Sequence, residues 1–319
     1  MTMEHFADRL FRAVKGKQSQ VVVGLDPRLD RIPESIVNDA AARHGQTPAG
    51  AAAAIVRFNN EVLDAVCETA VAVKIQIAFY ERFGCEGLRA YAETIRAART
   101  RGLIVIGDVK RSDIGSTAEA YAAAHLPAPS GSGWESAPDF HVDAITINAL
   151  FGWDGVAPFV ERAADAGCGV FALVKTSNPS SAEFQDLECA RAPLYEHMAT
   201  AVAHWGEAHQ GECGYSLLGA VVGATFPKVL GGLRALMPHS IFLIPGFGEQ
   251  GGTAGDVAAA FDREGRGALI CSSRGVIYAY REDPYARAYG MGNWQAAVAA
   301  AAQEMRQAVW SATQRRGLA

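Results

Sequence analysis

Apolar runs rich in Val, Ile and Leu recur along the whole chain, at positions 21–26, 71–77, 103–110, 144–148, 169–176, 217–223, 241–247 and 268–273. Each is short and carries few polar residues until its last positions, the pattern of parallel strands buried on both faces. Between them lie Ala-rich amphipathic stretches of helical length, at 51–69, 87–101, 155–166, 192–208, 228–236 and 256–263, with a last one at 294–313. Eight strands alternating with helices predict an α/β fold, a (β/α)8 TIM barrel. An open doubly wound sheet is the alternative, but no G-x-G-x-x-G follows an early strand and the strand count suits barrel closure. Two segments break the rhythm: the Pro/Gly/Ser-rich stretch 126–138, and 278–293, which holds Arg281, Glu282, Asp283, Pro284 and Arg287. Both are expected to be surface insertions, loops or lids, on one domain spanning 1–319.

The polar residues gather where these strands end: Asp26, Asp108 and Lys110, Asn148, Thr176 and Ser177, Gln250, and Arg274. Active sites of such barrels lie on that face. In the third strand Asp108 and Lys110 are two apart and so share a face, with Asp113 three residues further on, where strand gives way to loop. Carboxylate, ammonium and carboxylate are thus expected to cluster at the end of a buried sheet. Buried charges must be paired or functional, and a structural ion pair is the bland alternative. In the second strand, Ala72, Lys74 and Gln76 fall on one face and Val71, Val73, Ile75 and Ile77 on the other. The branched residues would pack on the helices, so that Lys74 enters the barrel; a lysine snorkelling at a strand edge is the alternative. Asp26, before Pro27, either caps a turn or joins these groups. On adjoining strands, Asp26, Lys74, Asp108 and Lys110 would alternate in sign, which keeps each of them charged.

Two glycine-bearing loops follow the seventh and eighth strands, Pro245-Gly246-Phe247-Gly248-Glu249-Gln250-Gly251-Gly252-Thr253 and Ser272-Ser273-Arg274-Gly275. Backbone amides in such loops approach an anion closely, barrels often bind phosphate at this place, and Arg274 offers a planar fork to its oxygens. Ser177 and Asn178, after the fifth strand, either read the polar edge of a planar ring or merely build a turn.

Composition narrows the picture further. The 319 residues carry a net charge of −5, which argues against nonspecific nucleic-acid binding but allows a local site for an anionic small molecule. Six scattered cysteines form no C-x-x-C pair and read as reduced thiols, and the histidines show no metal-ligand spacing. The segment 1–9 has no apolar core of a secretory signal and no run reaches membrane-spanning length, so a cytoplasmic protein is expected.

Taken together, these pieces resemble the orotidine 5′-phosphate decarboxylase family, in its longer bacterial (type 2) subgroup. The D-x-K-x-x-D-I core stands as Asp108, Lys110, Asp113 and Ile114, within an extended signature running to Tyr121. The likeness continues through 175–179, 245–253 and 273–275, and runs from about 21 to 278. It implies conversion of orotidine 5′-phosphate to UMP and CO2, with Lys110 as the proton donor and Asp108 against the substrate carboxylate. Lys74 and Asp113 would complete the charged array, Asp113 by reaching the neighbouring subunit's site of a homodimer. Asp26 and Thr117 would contact ribose hydroxyls, Thr117 also across the dimer. Ser177 would bond the pyrimidine amide edge, and Gln250, the backbone near Gly251 and Gly252, and Arg274 would hold the phosphate. The family uses no metal and no organic cofactor. Because D-x-K-x-x-D is shared with metal-dependent sugar-phosphate decarboxylases and synthases, such a lyase is the alternative reading. A non-catalytic nucleotide sensor is a third.

Overall fold

The computed structural model describes residues 3–128, 139–224, 227–248 and 254–316. The eight apolar runs form eight parallel strands: β1 (Val21–Leu25), β2 (Ala72–Gln76), β3 (Ile104–Arg111), β4 (Ala144–Ile147), β5 (Gly169–Lys175), β8 (Leu218–Val222), β9 (Phe242–Pro245) and β10 (Ala268–Ser272). They close into a barrel in the order β1-β10-β9-β8-β5-β4-β3-β2. A small antiparallel hairpin, β6 (Glu188–Cys189) with β7 (Ala192–Pro193), stands apart from it. Closure accounts for the composition of the strands. In β1, Val21, Val22, Val23 and Leu25 are all fully buried, because one face meets the barrel interior and the other the helix ring.

The helices cover the outside much where the Ala-rich stretches predict, Pro48–Val66 and Gly84–Thr100 among them, with Trp294–Arg316 as the last. Phe6–Lys17, Glu34–His44 and Gly115–His125 are further helices without a counterpart in the sequence expectation. The last of these buries only Ala118, Ala122 and His125, so its inner face carries no bulky apolar stripe to reveal it.

The insertion expected at 278–293 needs correction. Tyr278, Ala279 and Tyr280 are core residues, and only the part beyond them is surface. The Tyr278 ring stacks on Phe58 at 5.8 Å, Phe58 stacks on Trp294 at 5.3 Å, and Tyr280 lies 5.6 Å from Trp294. Short helical turns at Ala279–Arg281, Tyr285–Tyr289 and Met291–Asn293 carry the chain onward to the last helix. Aromatic burial of this size anchors the segment at its start. The other insertion is only partly covered, since 129–138 lie outside the described residues; before them, Leu126 is fully buried.

Candidate active site

Of the polar strand ends, Asp26, Asp108, Lys110, Thr176, Ser177 and Arg274 meet in one cleft with two lobes, whereas Asn148 lines neither. Lys74, Asp108, Lys110, Thr146, Leu173, Thr176, Ser177, Asn178, Val221, Leu243 and Pro245 line the first, of about 370 Å³. Asp26, Lys74, Gln76, Asp108, Pro245, Cys271, Ser272, Ser273 and Arg274 help to line the second, of about 190 Å³. Lys74, Asp108 and Pro245 belong to both, so the charged residues sit at the junction.

Strand register builds this junction. Lys74 lies beside Gly24 of β1 and Ile106 of β3, and Gln76 lies beside Asp108. Lys74 Nζ is 2.7 Å from Asp108 Oδ2 and 4.0 Å from Asp26 Oδ1, while Lys110 Nζ is 2.5 Å from Asp108 Oδ1. The order Asp26, Lys74, Asp108, Lys110 therefore alternates in sign, as the sequence predicts. Gln76 Nε2 donates to Asp108 Oδ2 at 3.1 Å and the Thr146 hydroxyl donates to Asp108 Oδ1 at 2.9 Å. The Asp108 carboxylate is thus held by four donors on three strands. The second carboxylate in the row is different: Asp26 Oδ1 is buried and accepts no hydrogen bond within the described chain. A ligand hydroxyl would satisfy it.

Burial alone would push the Asp108 carboxyl up, but the Lys74 and Lys110 ammoniums outweigh it and hold it well below the usual carboxylate range. Burial likewise disfavours the Lys74 ammonium, and the Asp108 and Asp26 carboxylates reverse the sign, so its pKa stands above the ordinary lysine value. Exposure separates the two lysines. The Lys74 side chain is 8% exposed and fixed between carboxylates, whereas Lys110 is 44% exposed and projects into the first lobe. Both line this lobe, and Lys110 presents far more of its side chain to a ligand there.

Lys110 reaches that position through a bulge. Between β3 and β4 the register passes from Gly107↔Ile145 to Arg111↔Ile147, four steps against two. Lys110 takes φ +45°, a left-handed conformation uncommon outside glycine, and its amide donates to Thr146 Oγ1 at 3.1 Å instead of to a ladder carbonyl. Two glycines allow close approaches around the cleft. A Cβ on Gly24 would lie 1.9 Å from Ser273 Oγ, and one on Gly223 would lie 2.8 Å from Ser177 Cβ. Larger residues there would displace the two loops that border the lobes.

Some expectations need revision. Asp113 does not join the Asp108–Lys110 cluster in its own chain. After Arg111 the backbone turns toward the helix Gly115–His125, and Asp113 Oδ1 accepts from the Ile114 amide at 2.9 Å. Among the described residues it pairs with no cation, and neither it nor Thr117, exposed in the first turn of that helix, lines either lobe. Gln250, Gly251 and Gly252 lie outside the described residues. Arg274 opens a short helix, Arg274–Ile277, at the rim of the second lobe.

Sequence reasoning missed Thr146, Gln76 as a partner of Asp108, and Tyr278. The Tyr278 hydroxyl accepts from the Arg28 amide at 2.7 Å and donates to the Asp26 carbonyl at 3.2 Å, fastening the turn that carries Asp26. Alternation along β4 marks Thr146 as sharing a face with Ala144, a signal available in the sequence; nothing local links Tyr278 to Asp26, 252 positions away.

Comparison with known proteins places these features in context. The family model described as "Orotidine 5'-phosphate decarboxylase / HUMPS family" matches residues 19–289. An orotidine 5′-phosphate decarboxylase of Rhodopirellula baltica is 42% identical over 305 residues, 95% of this chain and 98% of the relative. Among solved structures, OMP decarboxylase of Leishmania donovani aligns with a TM-score of 0.73 and 31% identity, covering 97% of this chain and 98% of that one. A candidate orotidine-monophosphate decarboxylase of Toxoplasma gondii aligns with a TM-score of 0.79 and 29% identity, covering 99% of both chains.

Proposed function

The chain belongs to the orotidine 5′-phosphate decarboxylase / HUMPS family, and from that membership and the charged row we infer that it converts orotidine 5′-phosphate to UMP and CO2, the last step of de novo pyrimidine nucleotide synthesis. The observation that carries the reading is the Lys110 ammonium, seated on Asp108 and half-exposed in a lobe with apolar walls from Leu173, Val221, Leu243 and Pro245. The metal-dependent lyase gains no support from the comparisons. Within the row, Lys74 occupies the position between the Asp26 and Asp108 carboxylates.

Loss of CO2 from C6 of the pyrimidine leaves a carbanion with no adjacent carbonyl to delocalise it. Lys110 stabilises the developing negative charge and then protonates C6. Asp108 faces the departing carboxylate, and two like charges ~4 Å apart repel by about 4 kcal/mol at an effective dielectric of ~20. That is small against barrier reductions that reach roughly 23 kcal/mol, so most of the acceleration comes from the cation and from remote binding that organises the site. Asp26, whose buried Oδ1 accepts no hydrogen bond among the described residues, takes a ribose hydroxyl, and Thr117 meets a ribose hydroxyl across a dimer. Ser177 bonds the pyrimidine amide edge. Arg274 holds the phosphate, with Gln250 and the backbone near Gly251 and Gly252.

The reading includes a homodimer, in which Asp113 and Thr117 serve the neighbouring site. Both stand outside their own cleft, and exposed apolar side chains, Ile114, Leu150 and Phe151, crowd the same region of the surface. Among the described residues no helix is long and apolar enough to cross a membrane. A cytoplasmic location fits a biosynthetic enzyme that acts on a nucleotide.

Incubation with orotidine 5′-phosphate in the presence of a chelator should deplete the orotate ultraviolet band, and Lys110→Ala should lower kcat by roughly 10⁴-fold or more with the fold retained. A persistent band would overturn the activity. Mixing Lys110→Ala with Asp113→Ala chains under conditions of subunit exchange should restore turnover, because one site of each hybrid is then intact. No recovery in a demonstrated hybrid would remove the shared-site dimer.

A further inference from the structure

After β5 the chain leaves the barrel at Thr176, passes through the turn Pro179–Glu183, and comes back through the hairpin β6–β7 to the helix Leu194–Gly206. Ser177 and Asn178 line the first lobe, but no residue of this excursion beyond Asn178 does. The excursion nevertheless grips the strand end that bears them. The Thr176 amide donates to Gln185 Oε1 at 2.9 Å, Gln185 Nε2 donates back to Thr176 Oγ1 at 2.8 Å, and the Thr176 hydroxyl donates to Asn178 Oδ1 at 2.7 Å. One residue further, Asp186 Oδ1 accepts from Lys175 Nζ at 2.5 Å. That ammonium also donates to Ser181 Oγ at 3.3 Å and lies 5.5 Å from the centre of the Tyr195 ring. From the other side, Gly223 packs directly on Ser177. Ser177 is therefore held between a glycine and a pincer of two consecutive side chains.

We propose that Gln185 and Asp186 are positioning residues which, by gripping Thr176 and Lys175 from outside the cavity, set Ser177 and Asn178 and so govern recognition of the planar amide edge of the pyrimidine. The inference rests on the reading of the site given above. A Ser-Asn-Pro turn freed from the pincer samples many conformations, and the apparent affinity for the base falls in proportion to the fraction that remains competent. Neither residue of the pincer lines the second lobe, so the ribose and phosphate grip is unaffected.

The test uses the full-length protein and two competitive ligands, UMP and ribose 5-phosphate, which lacks the base. Gln185→Ala should weaken UMP and raise KM for orotidine 5′-phosphate about tenfold, while ribose 5-phosphate stays within about twofold and kcat within about threefold. Gln185→Glu, which keeps an acceptor for the Thr176 amide, should recover part of the loss. Asp186→Asn, of unchanged shape, should shift UMP in the same direction by a smaller factor, and it serves if Gln185→Ala fails to fold. Parallel weakening of both ligands, or unaltered UMP binding, would overturn the proposal. A wild-type protein that binds UMP without turnover would instead overturn the activity, since the contrast between the ligands is a binding measurement.

Discussion

Two buried lysines, each on a barrel strand and each paired with an aspartate, have opposite meanings in this molecule. Lys74 of β2 is 8% exposed with Asp108 at 2.7 Å, and Lys175 of β5 is 2% exposed with Asp186 at 2.5 Å. Burial, pairing and distance do not tell them apart. Their surroundings do. Lys74 lies at the junction of both lobes, and its partner carboxylate is 7% exposed and also bound to Lys110. Lys175 lies beneath an excursion, among Ser181, Tyr195 and an aspartate that is 43% exposed. A buried ion pair thus meets a ligand directly only where a cavity opens onto it; elsewhere it fastens one piece of chain to another and acts on the site only through the residues it holds.

Substitution by methionine sharpens the contrast most. Lys74→Met leaves the Asp26 and Asp108 carboxylates without the cation between them. It should lower kcat by at least about 10³-fold and cost roughly 3–5 kcal/mol of stability, read from turnover and from the denaturant midpoint. Lys175→Met strands an aspartate that water can reach. Its stability cost should be about 1–3 kcal/mol, and kcat should stay within roughly threefold because no reacting atom is touched. Equal losses of kcat in the two variants would break the comparison.

A third buried base gives the smallest effect and tests the same logic in reverse. Among the described residues His125 has no carboxylate partner, and burial, aided by Arg111 and His141, pushes its pKa down to about 4 from 6.5. Its folded value is below its unfolded one, so the neutral form contributes stability that is complete above about pH 6.5 and is lost as pH falls toward 4, up to roughly 3 kcal/mol. The Asp108 carboxyl, also depressed, keeps its contribution until the pH falls below the usual carboxylate range. Lys74, raised, loses its contribution only as the pH climbs past the ordinary lysine value. The first destabilisation on acidification should therefore arise at His125. Denaturant midpoints between pH 7 and 4.5 should fall in the wild type and flatten in His125→Phe. An unchanged slope in the variant would assign the loss elsewhere.

Much of the site is legible in the sequence because strand alternation is a short-range rule. Asp108 and Lys110 share a face by their spacing, and Lys74 enters the barrel because its neighbours Val73 and Ile75 are branched and apolar. The same rule fails after residue 110, where the bulge at Lys110 and the turn beyond it carry Asp113 away from the cluster. Tyr278 escapes notice because its partner lies far along the chain, and its segment looks like a loop because charges surround it. Alternation also says nothing about Lys175, which a register shift after Leu173 separates from the preceding ladder.

By itself, then, the order of residues determined the eightfold alternation, the closed-barrel class and the signs of the groups at the strand ends, since each follows from periods of two and 3.6 residues and from side-chain chemistry. Only the folded chain decided which charges face one another, that Thr146 and Gln76 complete the Asp108 cradle, and that one buried lysine serves a cavity while its counterpart serves a loop. Those outcomes depend on register, bulges and contacts between residues distant in sequence, and such contacts are set by packing of the whole barrel and not by any local pattern.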